Sequence, residues 1–201
     1  MNIAKTIKSL ENNGYIVRFF KTSAEAADYI ESSIENKIIG FGGSRTLTDL
    51  DLQNRLSKKN KVWNPDFPES GETFRSTAMK SLDADYYFLS ANGLSEDGII
   101  VLLDATGNRL GGSLFGHKKV YYVIGTNKIT ENLEQAIWRV RNIAAPKNAV
   151  RFHLNTPCAV KGDRCYDCKS PDRICNSLLI HLKKTDACEA EVILIDETLG
   201  F

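Results

Sequence analysis

The chain has 201 residues, 42% of them hydrophobic and 25% charged, which suits one domain with a sizeable core. Its formal net charge of +1 argues against a surface for nucleic acid or for an anionic membrane. No apolar run reaches membrane-spanning length, and the amino-terminal stretch lacks the apolar segment of a secretory signal. We therefore expect a cytoplasmic protein with reduced cysteines.

Apolar runs of strand length alternate along the chain with stretches of helical periodicity. We predict strands at 15–20, 37–41, 86–89, 99–103, 120–124 and 191–195. We predict helices at 22–34, 47–56, 72–82, 107–115 and 130–143, and a first helix that begins at residue 3. Asn13-Gly14 is expected to end the first helix, and Ala145-Pro146 the last. Residues 62–65 are predicted to be irregular, and 178–182 are too short to assign. This alternation predicts an α/β fold, a mostly parallel sheet flanked by helices, in a single domain over residues 1–201.

A glycine-rich turn, Gly42-Gly43-Ser44-Arg45-Thr46, joins the second predicted strand to a helix. Glycine lets the backbone turn sharply and approach a ligand closely. Ser44, Arg45 and the free N–H groups of the helix start suit an anion or carboxylate pocket. The turn lacks the Gly-Lys-Ser/Thr of a P-loop. A tight strand-to-helix turn, with Ser44 or Thr46 as N-cap, fits the residues equally well.

The stretch from residue 83 to residue 125 contains three predicted strands separated by polar loops rich in small residues. Ligands of open α/β sheets bind at the carboxyl ends of strands, so we expect Asn92, Glu96 and Asp104 to converge there. A carboxylate at that point would orient a substrate or act as a general base. We assign Asp97-Gly98 to turn formation and His117 to the solvated surface.

Four of the five cysteines fall in one segment with the spacing C-x6-C-x2-C-x6-C, within residues 156–177. These residues are Cys158, Cys165, Cys168 and Cys175. Four thiolates can bind zinc or hold an iron–sulfur cluster, and this spacing does not distinguish the two. A structural zinc site and partly free thiols are the plainer alternatives. Cys188 stands apart and is expected to be a small buried apolar residue.

Several motifs in fixed order resemble the LUD domain, the lactate-utilisation family also called DUF162. They are Gly40-Phe-Gly-Gly-Ser-Arg-Thr46, Ala84-Asp-Tyr-Tyr-Phe-Leu-Ser-Ala-Asn-Gly-Leu-Ser-Glu-Asp-Gly98, Asp104-Ala-Thr-Gly-Asn-Arg109, Phe115-Gly-His-Lys-Lys-Val120 and Arg141-Asn-Ile-Ala-Ala-Pro146. The resemblance implies a fold similar to the NagB/RpiA/CoA-transferase group, to which this chain adds a cysteine-rich loop near the carboxyl terminus. It also implies a site formed by Gly42, Gly43, Ser44, Asn92, Glu96, Gly98, Asp104 and Asn108. The family is associated with oxidation of L-lactate to pyruvate beside iron–sulfur partner proteins. Because the lactate-utilisation C-type members lack the cysteine segment, this chain resembles a cysteine-bearing branch.

Three functions follow from these observations. The first is a redox-associated protein with an iron–sulfur centre at the cysteines and a pocket for a 2-hydroxy or 2-keto acid, whose carboxylate pairs with Arg45 or Arg109. The second is a non-redox enzyme or binding protein for a phosphorylated or CoA-linked metabolite, with Glu96 or Asp104 as acid or base and a structural zinc. The third is a regulatory module without catalysis. We also expect a homo-oligomer, because related folds often pair.

Overall fold

The computed structural model describes residues 1–201 and is built on two β-sheets. The strands are β1 (Ile16–Phe20), β2 (Ile38–Phe41), β3 (Lys61–Trp63), β4 (Tyr86–Leu89), β5 (Gly93–Ser95), β6 (Ile100–Asp104), β7 (Lys119–Gly125), β8 (Ile129–Thr130), β9 (Ser177–His181) and β10 (Glu189–Ile195). The α-helices are α1 (Ile3–Asn12), α2 (Ser23–Ser33), α3 (Arg45–Asp49), α4 (Leu52–Ser57), α5 (Phe74–Leu82), α6 (Asn108–Leu114), α7 (Leu133–Arg139), α8 (Ala145–Arg151) and α9 (Pro157–Lys161). A 3₁₀ turn covers Thr126–Lys128, and a π-helical turn covers Val140–Ala144.

The larger sheet has six strands in the order β1-β10-β7-β4-β2-β3, and every neighbouring pair is parallel. Successive side chains of a strand point to opposite faces, and β10 shows this directly. Val192 and Leu194 belong to one apolar core, whereas Ile193 and Ile195 belong to the core on the other face. Helices cover both faces, so the predicted α/β fold with a mostly parallel sheet is confirmed.

The smaller sheet was not predicted. Its order is β8-β5-β6-β9, and β6 runs antiparallel to both β5 and β9. The unassigned residues 178–182 contribute most of β9. A third apolar cluster beneath this sheet joins Val101 and Leu103 of β6 to Ala136 and Val140. This sheet packs beside the larger one, and its hairpin positions residues at the ends of β4 and β6.

Several local predictions need correction. Residues 61–63 form the edge strand β3 rather than an irregular segment, because they pair in parallel with β2. The helix predicted at 47–56 is two helices, since Asp51 adopts a left-handed conformation with φ of 52°. Pro146 does not end the helix predicted at 130–143; the chain continues through the π turn into α8. Pro146 lies at the start of α8 directly after the π turn, and this wider turn accommodates a residue that lacks a backbone N–H.

Two burial predictions are settled by the fold. His117 is 3% exposed rather than solvated, with its ring stacked on Tyr87 and Nδ1 2.7 Å from the Ala84 carbonyl oxygen. Cys188 is buried, as expected of a small apolar residue. No helix in the protein has both the length and the apolar character needed to cross a membrane.

Candidate functional site

A cavity of about 490 Å³ opens at the carboxyl ends of β2, β4 and β6. The glycine turn forms one wall, the loops after β4 and β6 form another, and α8 with the chain terminus closes the remainder. Eight of the residues predicted for the site line it: Gly43, Ser44, Arg45, Thr46, Asn92, Asp104, Asn108 and Arg109. The placement follows the general rule for open α/β sheets, because parallel strands deliver their carboxyl ends to a single edge.

The glycine turn acts both as a helix start and as a cavity wall. Ser44 is the N-cap of α3, and its Oγ accepts a hydrogen bond from the backbone N–H of Leu47 at 3.4 Å. A Cβ atom added at Gly43 would lie 2.7 Å from the carboxylate oxygens of Asp66, so a larger residue would displace that side chain. The N-cap role is confirmed, and the same residues also border the cavity.

Asp104 and Arg109 form an ion pair in the cavity wall. The carboxylate accepts hydrogen bonds from the Arg109 Nε at 3.2 Å, from the Arg109 backbone N–H at 3.1 Å and from the Ala105 N–H at 3.0 Å. The guanidinium also donates to the Leu103 carbonyl oxygen. A Cβ atom at Gly42 would lie 2.6 Å from the Arg109 Cγ, so the absence of a side chain at Gly42 allows Arg109 to pack there. Asp104 therefore orients Arg109.

The two predicted amides support the loops around the cavity. Asn92 Oδ1 accepts a hydrogen bond from the Leu103 N–H at 2.9 Å, which ties the end of β4 to β6. The backbone carbonyl oxygen of Asn92 accepts a hydrogen bond from the Arg139 Nη1 at 2.5 Å. Arg139 is only 6% exposed. Asn108 Oδ1 accepts from the Thr106 hydroxyl at 2.5 Å and opens α6.

Glu96 and Gly98 do not reach the cavity, so the expected convergence of Glu96 with Asn92 and Asp104 is wrong. Glu96 Oε1 accepts a hydrogen bond from the Asn2 N–H at 2.6 Å and lies 3.6 Å from the terminal amine. Gly98 forms the turn with φ of 76°, and a Cβ atom there would lie 2.8 Å from the Leu10 backbone nitrogen. Both residues therefore seat α1 against the β5–β6 turn.

Lys128 is the main cavity residue that the sequence reasoning missed. It lies in the 3₁₀ turn after β7, is 2% exposed, and donates to the hydroxyl oxygens of Thr46 at 2.9 Å and Ser90 at 2.8 Å. It forms no ion pair within 4.0 Å. Burial above all, and then the charges of Arg139 and Arg109, lower the pKa of its amine to about 7. The sequence signal for Lys128 was its position in the turn that follows β7, a strand that ends in glycine.

The mouth of the cavity contains further residues without a motif. Arg151, in the last turn of α8, donates from Nε to the Asn148 Oδ1 at 2.9 Å, and its guanidinium lies 4.0 Å from the centre of the Phe152 ring. Partial burial lowers the pKa of Arg151, and the charge of Asp66 opposes that shift. The rings of Phe74 and Phe152 line the mouth and are 42% and 49% exposed. Both rings therefore border the opening.

The four cysteines of the predicted metal centre are all half-buried, but they form no group of three or more metal-ligating side chains. Cys158 Sγ lies 3.3 Å from the Thr156 hydroxyl, whereas Cys165 Sγ accepts from the Asp167 N–H at 3.3 Å. Burial raises the pKa of the Cys175 thiol, and the neighbouring Arg173 opposes that shift. As arranged here, the thiols do not fit a four-thiolate centre, and metal binding stays a prediction.

The fold and the cavity together define an α/β protein with a cavity lined by basic side chains at the carboxyl ends of parallel strands. A family model described as LUD domain matches residues 3–195. The chain belongs to the LUD domain family, which confirms the resemblance seen in its motifs. A DUF162 family protein from Deinococcus radiodurans, known from a crystal structure at 1.70 Å resolution, is similar in fold, with a TM-score of 0.56 and 15% identity over 96% of this chain and 95% of that chain. No curated protein matches the chain.

Proposed function

We propose that this LUD domain protein binds a small 2-hydroxy or 2-keto acid in the cavity and works in redox-associated use of lactate or a similar acid. The supporting observation is the charge of the cavity. Three arginines line it, namely Arg45, Arg109 and Arg151, against the carboxylates of Asp66 and Asp104. The Lys128 amine lies beside them, and its pKa of about 7 leaves about half of it charged at neutral pH. This excess of positive charge suits an anionic ligand.

The way these cations are already paired shows which of them are free to meet a ligand. Arg45 pairs with Asp49 at 2.6 Å, and Arg109 pairs with Asp104 at 3.2 Å. Arg151 and Lys128 have no carboxylate within salt-bridge distance. A guanidinium presents a planar fork of donors that matches a carboxylate or a phosphate. We assign Arg151 to bind the ligand's anionic group at the mouth of the cavity. Arg109, oriented by Asp104, would contact the ligand inside the cavity.

The size of the cavity favours a second candidate ligand. Sites of about 300–1,000 Å³ hold drug-sized molecules, and this cavity falls in that range. The exposed rings of Phe74 and Phe152 at its mouth would also accept an apolar or planar extension. A CoA-linked or phosphorylated metabolite therefore remains the alternative to a three-carbon acid.

Titration calorimetry on the full chain tests the proposal with four ligands: L-lactate, pyruvate, inorganic phosphate and CoA. We expect binding of the acids, and we expect Arg151→Gln to weaken it roughly tenfold, since a hydrogen bond to a charged group contributes about 1.5 kcal/mol or more. The matched control is Arg55→Gln, because Arg55 pairs with Asp28 and Glu31 on α2, away from the cavity. Binding of CoA alone would favour the alternative. Binding of none of the four would contradict both.

The redox part of the proposal depends on the cysteine segment. The guanidinium of Arg173 donates to the carbonyl oxygens of Cys168 at 2.8 Å and Cys175 at 3.0 Å, and Arg141 Nη2 lies 3.8 Å from the Cys165 Sγ. Cationic groups of this kind favour thiolates, which are the ligands of zinc and of iron–sulfur clusters. Because the thiols are not gathered here, we propose that metal binding is accompanied by rearrangement of this loop.

Metal and acid-labile sulfide analysis of protein purified without oxygen tests the centre. Iron with sulfide, lost in Cys165→Ser and in Cys168→Ser but kept in Cys188→Ser, would support the redox role and an iron–sulfur partner protein. Cys188 is a suitable control because it lies outside the segment and is buried. Stoichiometric zinc would make the centre structural. Protein that takes up neither metal, even after reconstitution, would contradict it.

A further inference from the structure

The hydrogen bonds around Lys128 are arranged for an uncharged amine. The Thr46 hydroxyl donates to the Leu199 carbonyl oxygen at 3.4 Å, and the Ser90 hydroxyl donates to the Ala91 carbonyl oxygen at 3.4 Å. Since both hydroxyl hydrogens are used, both hydroxyl oxygens accept from Lys128, at 2.9 and 2.8 Å. The site therefore offers two acceptors to the amine.

A neutral amine has two N–H donors and one lone pair, whereas an ammonium ion has three donors and a charge. Two acceptors satisfy both N–H donors of the neutral form and leave its lone pair without a partner. The ammonium form would keep one N–H unsatisfied and an unpaired charge, which is costly for a side chain that is 2% exposed. The lowered pKa of Lys128, about 7, agrees with this count. The structure thus holds a nucleophilic amine in the wall of the cavity.

We propose that Lys128 captures a 2-oxo acid covalently as an imine, and this inference rests on the proposed function, since it requires that the cavity bind such acids. The amine lone pair forms a bond to C2 of the acid, and the C2–oxygen bond breaks. Both amine hydrogens leave with that oxygen as water, so atoms and electrons balance without a further reactant. The cationic arginines of the cavity would hold the ligand's carboxylate beside the amine.

Lys128 is distinguished from the surface lysines by its neutral fraction. At pH 7 about half of an amine with a pKa of about 7 is neutral, whereas an ordinary lysine is neutral on the order of once in a few thousand molecules. The 2-hydroxy acid cannot react in this way because its C2 carries a hydroxyl and not a keto group. The same cavity would therefore bind lactate without a covalent bond and pyruvate as a reversible imine.

The test is reductive trapping on the wild-type full chain, with pyruvate and sodium cyanoborohydride, followed by peptide mass mapping. We expect the reduced adduct at Lys128, at least tenfold above that on exposed Lys147, with a rate that rises between about pH 6 and pH 8. L-lactate should give no adduct.

The outcomes separate this inference from the proposed function. Calorimetric binding of pyruvate without an adduct at Lys128, or with adducts spread over surface lysines, would overturn the inference and leave the proposed function standing. Absence of pyruvate binding would overturn both. Because the adduct is mapped in the wild-type protein, the result does not depend on whether a Lys128 variant folds.

Discussion

Replacing Lys128 with methionine is expected to change how the stability of the protein depends on pH. Methionine has a similar length but no titrating group, and the Thr46 and Ser90 hydroxyls keep their own hydrogen bonds to carbonyl oxygens. The substitution removes two hydrogen bonds from the amine, a loss of about 1 kcal/mol each that does not depend on pH. It also removes the cost of burying a charge.

The size of the pH-dependent part follows from the pKa. Folding lowers the pKa of Lys128 from 10.5 to about 7. Between these two values the unfolded chain binds more protons than the folded protein, so the free energy of unfolding rises with pH. At about 1.36 kcal/mol per pKa unit, the whole effect is about 5 kcal/mol, and about 2 kcal/mol of it falls between pH 7 and pH 9. Below pH 7 the amine is protonated in both states, and the full penalty is present.

Urea denaturation of both proteins, under reducing conditions and without ligand, measures this difference. From about pH 7 to about pH 9 the wild type should gain about 2 kcal/mol of unfolding free energy relative to Lys128→Met. Lys147→Met is the matched control, because Lys147 is an exposed residue of α8. Its curve should run parallel to that of the wild type.

Parallel curves for the wild type and Lys128→Met would refute the reasoning. That result would mean that the amine keeps its ordinary pKa in the folded protein, through water or an anion reaching it in the cavity. The nucleophilic role would then lose its physical basis, although the cationic cavity could still bind acids.

Two further predictions concern the packing between the sheets. Burial lowers the pKa of His181 from 6.5 to about 4. As the pH falls from 6.5 to 4, the unfolded chain binds a proton at this ring before the folded protein does, so the protein should lose about 3 kcal/mol of stability. Urea denaturation of His181→Leu should not show this loss. A Cβ atom at Gly112 would lie 2.4 Å from the Tyr87 ring, whereas at neighbouring Gly111 the nearest atom is 3.8 Å away. Gly112→Ala should therefore destabilise the protein by about 1–3 kcal/mol, while Gly111→Ala should be neutral or slightly stabilising, and equal melting temperatures for the two would contradict this contrast.

The main sheet was predictable because most of its strands can be recognised from their own residues alone. Each central strand is a short, β-branched or aromatic run closed by small residues, and each is buried on both faces. The smaller sheet escaped because β5 and β8 have only three and two residues, too few to show a period. The edge strand β3 escaped for the same reason, and its pairing with β2 is a tertiary contact.

The cavity was predicted in part, and the division follows the same logic. The glycine turn and the Asp104–Arg109 pair are close in sequence, so composition and spacing reveal them. Lys128 and Arg151 reach the cavity from separate elements, and only the sheet order brings them together. Nothing adjacent to Arg151 in the sequence marks it as part of a site, and for Lys128 the one signal is the glycine that ends β7.

The misplacement of Glu96 has a geometric cause that the sequence did contain. Asp97-Gly98 forms a tight turn, so β5 and β6 are antiparallel neighbours, with Gly93 opposite Val101. Antiparallel pairing puts Asn92, just before β5, at the same end as Asp104, the last residue of β6. It puts Glu96, at the turn, at the opposite end, about 13 Å from Asn92 at roughly 3.3 Å per residue. Treating all three residues as strand ends of one parallel sheet ignored this reversal, and the turn residues themselves predict it.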